Sequence, residues 1–200
     1  LAPSSAHSCV QGVMLDLANG VYDATHGPRA LWRLARQAGI HCREAEFFGA
    51  WAANYLADVQ RGRRDLEEAL EAFLHAQDLS WGEVDEVLAA CRGQDLWGLD
   101  SRPLPGVVRT LSTLAQRKIK LLVWADVPCP ASILQARLAT DGMASHVHHV
   151  LSSFDLDEAQ PSGACYRVSC EQLGLAPHEV IYLGHRAACL AAARSLGLRT

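Results

Sequence analysis

The sequence predicts an α/β protein: a three-layer domain built on a parallel sheet, interrupted after its first strand by an all-helical insert. Three observations carry this. The run Val13-Met14-Leu15 stops at the carboxylate of Asp16, followed by Asn19-Gly20, and a strand buried on both faces of a parallel sheet reads as such an apolar run ending in a turn. From about Gly27 to Asp100 the pattern is helical throughout. After Pro103-Leu104-Pro105-Gly106, where the prolines break a helix and the glycine permits a tight re-entry, strand and helix patterns alternate. One strand before the insert and several β-α units after it describe a single sheet covered on both faces. The core is assigned to residues 1–23 and 103–200, the insert to residues 24–102.

Taken in order, the first strand is expected over roughly Val10 to Leu15. In the insert, Ala30 to Ala38 is rich in Arg and Leu, and Glu44 to Val59 places Phe47, Phe48, Trp51 and Tyr55 at helical spacing. Asp65 to Ala76 repeats Leu66, Leu70, Phe73 and Leu74. Ser80-Trp81-Gly82-Glu83 is a capping box for a further helix through Leu88 and Cys91. The aromatic stripe reads as the core of the insert rather than a cofactor box. Beyond Gly106, helices are expected over Val107 to Arg117, Pro130 to Ala139, Ala164 to Leu173 and Ala187 to Leu196, and strands over Ile119 to Trp124, His148 to Ser152 and Val180 to Leu183.

Composition narrows the function classes. Two hundred residues, half of them apolar, suffice for one well-buried domain with a smaller insert. With a net charge of −4 and dispersed basic residues, nucleic acid is not an expected partner, and Arg61, Arg63 and Arg64 read as a solvated helix end. The seven cysteines are odd in number, scattered and free of Cys-x-x-Cys pairs, which favours reduced thiols and a cytoplasmic protein over a disulfide framework or a zinc site. Leu1 to Ser8 lacks the make-up of a signal peptide, and no run approaches the ~20 apolar residues of a membrane span, so no membrane partner is expected.

Several residues invite chemistry. In open α/β sheets ligands bind outside the strand ends, which makes Asp16 a candidate nucleophile or metal ligand; the competing reading is a turn aspartate. His146, His148 and His149 have a spacing able to bind Zn²⁺ from one strand face, but nothing nearby completes a shell, and solvated histidines are the expectation. Cys189 with His185 lies on the first turn of the last helix, where a thiol pKa falls, but lacks an orienting third residue. Asp155, Asp157 and Glu158 read as a solvated acidic loop.

The order of these landmarks resembles the haloacid dehalogenase (HAD) superfamily over nearly the whole chain, which implies a Rossmann-like core with a helical cap. The stretch from Asp16 resembles the family's opening motif in the subgroup reading Asp-Leu-Gly-Asn-Val. Leu104-Pro105-Gly106-Val107 with Leu111 and Leu114 resembles the exit from the cap into the second strand, and Gln160-Pro161-Ser162-Gly163-Ala164-Cys165-Tyr166 resembles Lys-Pro-x-Pro-x-x-Tyr. Leu173-Gly174-Leu175, Glu179 to Leu183, and Ala191 to Gly197 resemble the last β-α unit.

What the resemblance implies about chemistry is degeneracy. Family phosphatases use the first Asp, here Asp16, as nucleophile and Mg²⁺ ligand, with a general acid two positions on; here that position is Ala18, and losing a general acid costs about 10²–10⁴ in rate. The family's Ser or Thr at the second strand end is Ala125, followed by Asp126, which either adds a negative charge to an anion site or serves as a cap ahead of Pro128. The family Lys is Gln160, and the acidic pair that completes the Mg²⁺ site is Gly184-His185. Metal-free dehalogenation needs the same Lys and a Ser-Asn pair, also missing.

The expectation is therefore a catalytically degenerate, HAD-like binding or regulatory protein holding a protein or small molecule in the core-cap cleft. Ala18, Asn19, Ala125, Asp126, Gln160 and His185 mark its pocket, and no cofactor is expected. The alternative is a remodelled hydrolase with Asp16 as nucleophile, Asp23, Asp126 or His185 recruited as acid or ligand, and Mg²⁺ in that case alone. A third reading, a structural partner subunit, requires an exposed apolar patch on the cap around Trp32, Trp51, Trp81 and Trp97.

Overall fold

The computed structural model describes residues 9–92 and 102–200. Four strands, β1 (Gly12–Asp16), β2 (Lys120–Ala125), β3 (His149–Ser152) and β4 (Val180–Leu183), form a parallel sheet in the order β3-β2-β1-β4. The first strand is thus central, with Asp16 opposite Trp124 on one side and Leu15 opposite Leu183 on the other. It starts two residues later and ends one later than the sequence pattern suggests, so Asp16 is the last strand residue rather than the first of a turn.

Period-2 alternation divides the strands between two apolar layers. Val13, Leu15, Leu121 and Val123 pack with Leu111 of α6 (Val107–Gln116) and with Leu134 and Leu138 of α7 (Ala131–Thr140). Met14, Leu122, Trp124 and Tyr182 face the other way, against Tyr166, Cys170 and Leu173 of α9 (Gly163–Leu173) and Cys189 and Ala193 of α10 (Ala187–Ser195). Between β1 and β2, helices α1 (His26–Gln37), α2 (Glu44–Trp51), α3 (Ala57–Gln60), α4 (Leu66–His75) and α5 (Trp81–Cys91) enclose a third apolar cluster of their own. One π-helical turn, Ala52–Leu56, joins α2 to α3. The expected aromatic stripe is this cluster's centre: Phe73 packs against Phe47, Trp51 and Tyr55 at centroid separations of 4.8, 5.3 and 5.5 Å. Ser80 and Glu83 form the expected capping box of α5.

Charge on the surface is more organised than its patterning suggests. Arg63 is half exposed, yet it grips Asp157 with two hydrogen bonds of 2.6 and 2.8 Å, and Arg64 lies over the Tyr55 ring. Asp155 accepts a bond from the backbone N–H of Ala131 at the start of α7. The arginine cluster and the acidic loop, read separately as solvated runs, meet because α3 ends against α8 (Ser153–Leu156). The Ser153 hydroxyl donates to the Gln60 carbonyl at 2.7 Å, and the Phe154 ring lies so near Gly62 that a β-carbon there would come within 2.4 Å.

The tryptophan patch does not form among the described residues. Trp51 is buried, Trp32 is half-buried against Phe47 and Phe48, and only Trp81 is exposed, against His75; Trp97 lies outside the described residues. No helix among the described residues is long and apolar enough to cross a membrane.

Candidate functional site

Asp16 ends the central strand with 3 % of its surface exposed, at the floor of a cavity of about 370 Å³ between the sheet ends and the helical layer. The chain turns sharply after it. Asn19 adopts a left-handed conformation (φ 59°), its side-chain oxygen accepting from the Ala24 N–H, and at Gly20 a β-carbon would stand 2.2 Å from the Asp16 carbonyl oxygen. Ala18 and Asn19 both line the cavity, but Asn19 spends its amide on the turn.

Behind the floor lies a polar network assembled from three strand ends. The Asp126 carboxylate accepts from the Trp124 indole N–H at 2.8 Å, the Gln160 backbone N–H at 3.1 Å and the Arg186 guanidinium at 2.5 Å. Arg186 also donates to the Gln160 side-chain oxygen at 2.8 Å. The Tyr182 hydroxyl lies 3.1 Å from that oxygen and 3.5 Å from Asp16 Oδ2; with one proton, it serves one of them at a time. The side-chain nitrogen of Gln160 is buried with no partner. From the helical side, Gln60 donates to the Asp126 carbonyl at 3.1 Å.

This network sets the charge states. Burial pushes the Asp16 carboxyl up to about 7; Arg186 opposes the shift, Asp126 adds to it, and the Tyr182 hydroxyl opposes it weakly. Burial disfavours the Arg186 cation, but the Asp126 carboxylate more than offsets this and holds it protonated. His185, its ring nitrogen 3.9 Å from Asp16 and its side chain about half exposed, is pushed down by burial and by Arg186, so it is a neutral imidazole at pH 7. The floor thus presents a carboxyl poised between its two forms, a neutral imidazole, and one guanidinium already paired.

The sequence-predicted residues distribute unevenly. Asp16, Ala18, Asn19, Asp126 and His185 line the cavity. Gln160 is buried behind it in the network. Ala125 is fully buried in the apolar cluster and does not reach the cavity, because β2 points it to the opposite face from Trp124. Asp126 does not cap a helix, since α7 starts at Ala131 with Pro130 in the cap position; it faces the site, and Arg186 neutralises the charge it brings. The Asp23 carboxylate binds the N–H and hydroxyl of Thr25 and is not part of the cavity wall. The Cys189 thiol is buried and pushed up, unlike an activated nucleophile. His148 Nδ1 accepts from the Leu121 N–H at the sheet edge. Sequence reasoning missed Arg186, Tyr182 and Gln60; the one available signal was a cation beside His185 just after a strand end.

The donor set does not fit the Mg²⁺ of family phosphatases. Mg²⁺ requires an octahedron of hard oxygens. Here Asp16 stands with an imidazole and a guanidinium, and among the described residues no three His, Cys, Asp or Glu side chains gather to hold a metal.

The scaffold is a parallel three-layer core whose central strand ends in an aspartate beneath a layer of helices. A family model described as haloacid dehalogenase-like hydrolase matches residues 10–197, and the chain belongs to that family. Among solved structures, a dehalogenase is similar at a TM-score of 0.63 and 20 % identity, covering 99 % of this chain and 84 % of its own. A predicted phosphoglycolate phosphatase from Haemophilus somnus 129pt gives 0.63 at 18 % identity, covering 94 % and 82 %. L-2-haloacid dehalogenase from Xanthobacter autotrophicus gives 0.62 at 17 % identity, covering 94 % and 75 %. At such identities the likeness is one of fold. No curated protein matches the sequence.

Proposed function

We propose that this chain is a HAD-like protein that has given up phosphoryl transfer and holds a small, largely apolar molecule in the cavity over Asp16. The observation that carries the reading is the cavity's make-up. Leu31, Phe48, Trp51, Leu56, Leu66 and Leu70 wall it, and among the described residues its one guanidinium, that of Arg186, is committed to Asp126 and Gln160. An apolar body gains about 25 cal/mol per Å² removed from water against such walls. A phosphate dianion would meet Asp16 and Asp126 with one shared guanidinium to offset them. Ala18 in the general-acid position and Gln160 in the lysine position support the same conclusion. The helical cover fits a small ligand better than a protein partner. Seven free thiols agree with a reducing, cytoplasmic setting.

One observation favours a second reading, a metal-free hydrolase. The Asp16 carboxylate makes no hydrogen bond to a backbone amide among the described residues, unlike a turn aspartate, and Arg186 brings back near it a positive charge that Gln160 lacks. In that reading an Asp16 oxygen bonds to a substrate carbon, the carbon–halogen bond breaks, halide leaves, and water cleaves the resulting ester.

The test is hydrolysis of an aryl phosphate and sugar phosphates, with and without Mg²⁺, and halide release from short 2-haloacids, comparing wild type with Asp16→Asn. No turnover in wild type, or equal turnover in both, is the expected result. Halide release lost in Asp16→Asn would establish the second reading, and Mg²⁺-dependent phosphate release lost in that variant would overturn both.

A further inference from the structure

We infer that the Tyr182 phenol has taken the place of the missing acidic metal ligand, so that the site is closed to divalent cations by packing and not merely by the loss of a carboxylate. Tyr182 lies two residues before Gly184 and is fully buried. Its hydroxyl is turned under the strand end toward Asp16 and Gln160, where a β-carbon at position 184 would stand 2.2 Å from that oxygen and 2.5 Å from the ring carbon bearing it. Gly184 does not have a positive φ, so its backbone does not call for glycine; the phenol does. Gly184, Tyr182 and Gln160 are therefore one arrangement. Glycine opens the space, tyrosine fills it, and the glutamine oxygen receives its proton. Arg186, two residues past Gly184, completes the exchange by placing a fixed organic cation on Gln160 and Asp126.

An acid restored at position 184 would find its own place occupied.

Two measurements on the full chain test this. Mn²⁺ titration followed by electron paramagnetic resonance reports binding of the metal alone; wild type and Gly184→Asp are both expected to show no site tighter than millimolar. A double-mutant cycle then reads the contact. Gly184→Ala is expected to lower the folded-to-unfolded ratio on the order of 10- to 100-fold, as overpacking does, and to cost far less in the Tyr182→Leu background. A wild-type Mn²⁺ site abolished by Asp16→Asn would overturn the inference, as would a Gly184→Ala penalty equal in both backgrounds. Should Tyr182→Leu not fold, Tyr182→Phe, which removes the oxygen 2.2 Å from a β-carbon at 184, takes its place in the cycle: a Gly184→Ala penalty smaller in that background upholds the inference, and an equal one overturns it.

Discussion

Asp16→Asn should make the protein more stable, and by an amount that depends on pH. The carboxyl has a pKa of 3.8 in the unfolded chain and about 7 in the fold. A raised folded value means that the native state keeps its proton to higher pH than the unfolded state does. The cost of burying Asp16 is therefore absent below about pH 4, grows as pH rises toward 7, and is complete above that. At 1.36 kcal/mol per pKa unit, the full cost is on the order of 4 kcal/mol.

Asparagine keeps the shape and cannot ionise. Urea unfolding at pH 8 should show Asp16→Asn gaining on the order of 4 kcal/mol, which for a domain of this size is roughly 8–16 °C in Tm. At pH 4 the two proteins should differ little. A gain that is the same at both pH values, or a loss at pH 8, would refute the argument, because either would mean that the carboxylate is stabilised by contacts the geometry does not contain. The expected result bears on function as well: a chain that keeps a destabilising carboxylate at the floor of a cavity is holding it for binding or chemistry, as active sites commonly do.

Two other perturbations separate the parts of the site. Arg186→Met leaves the Asp126 carboxylate, its side chain 7 % exposed, without its counter-ion; we expect about 2–3 kcal/mol lost at pH 7 by urea unfolding, below the ~3–5 kcal/mol of a fully buried pair because the Arg186 side chain is about one-third exposed. The same variant should push the Asp16 pKa further up, visible as a shifted carboxyl titration by NMR, and an unmoved titration would show that Arg186 does not act on Asp16. Phe73→Ala removes a ring that is 1 % exposed and packed among Phe47, Trp51 and Tyr55; about 3–5 kcal/mol should be lost, with amide exchange accelerated first in α2 to α4, whose residues Trp51, Leu66 and Leu70 wall the cavity.

What was legible in the sequence is what short-range physics writes into it. The strand Val180–Leu183, the helix starting at Val107 and the Ser80–Glu83 capping box depend on alternation, on the Pro-Gly break and on bonds between residues three apart. The parallel core followed from the order of such patterns, because few topologies connect them. Asp16 could be placed at a strand end because the apolar run stops there. Its neighbourhood could not. Tyr182 meets Asp16 across 166 residues of chain, and Arg186 meets Asp126 across 60. Each pair exists only because the sheet order sets β4 beside β1 and β1 beside β2, with all strand ends on one edge. The sequence showed Asp126 as a carboxylate without saying that a guanidinium would neutralise it, and the family resemblance marked Ala125 as a motif position without saying that the pleat would turn it into the apolar layer. The sequence by itself determined the family's scaffold and set Asp16 at the end of its central strand. Only the tertiary structure decided what surrounds that aspartate: the Tyr182 phenol against Gly184 and the Arg186 cation between two acceptors, contacts fixed by packing density and desolvation rather than by any local pattern.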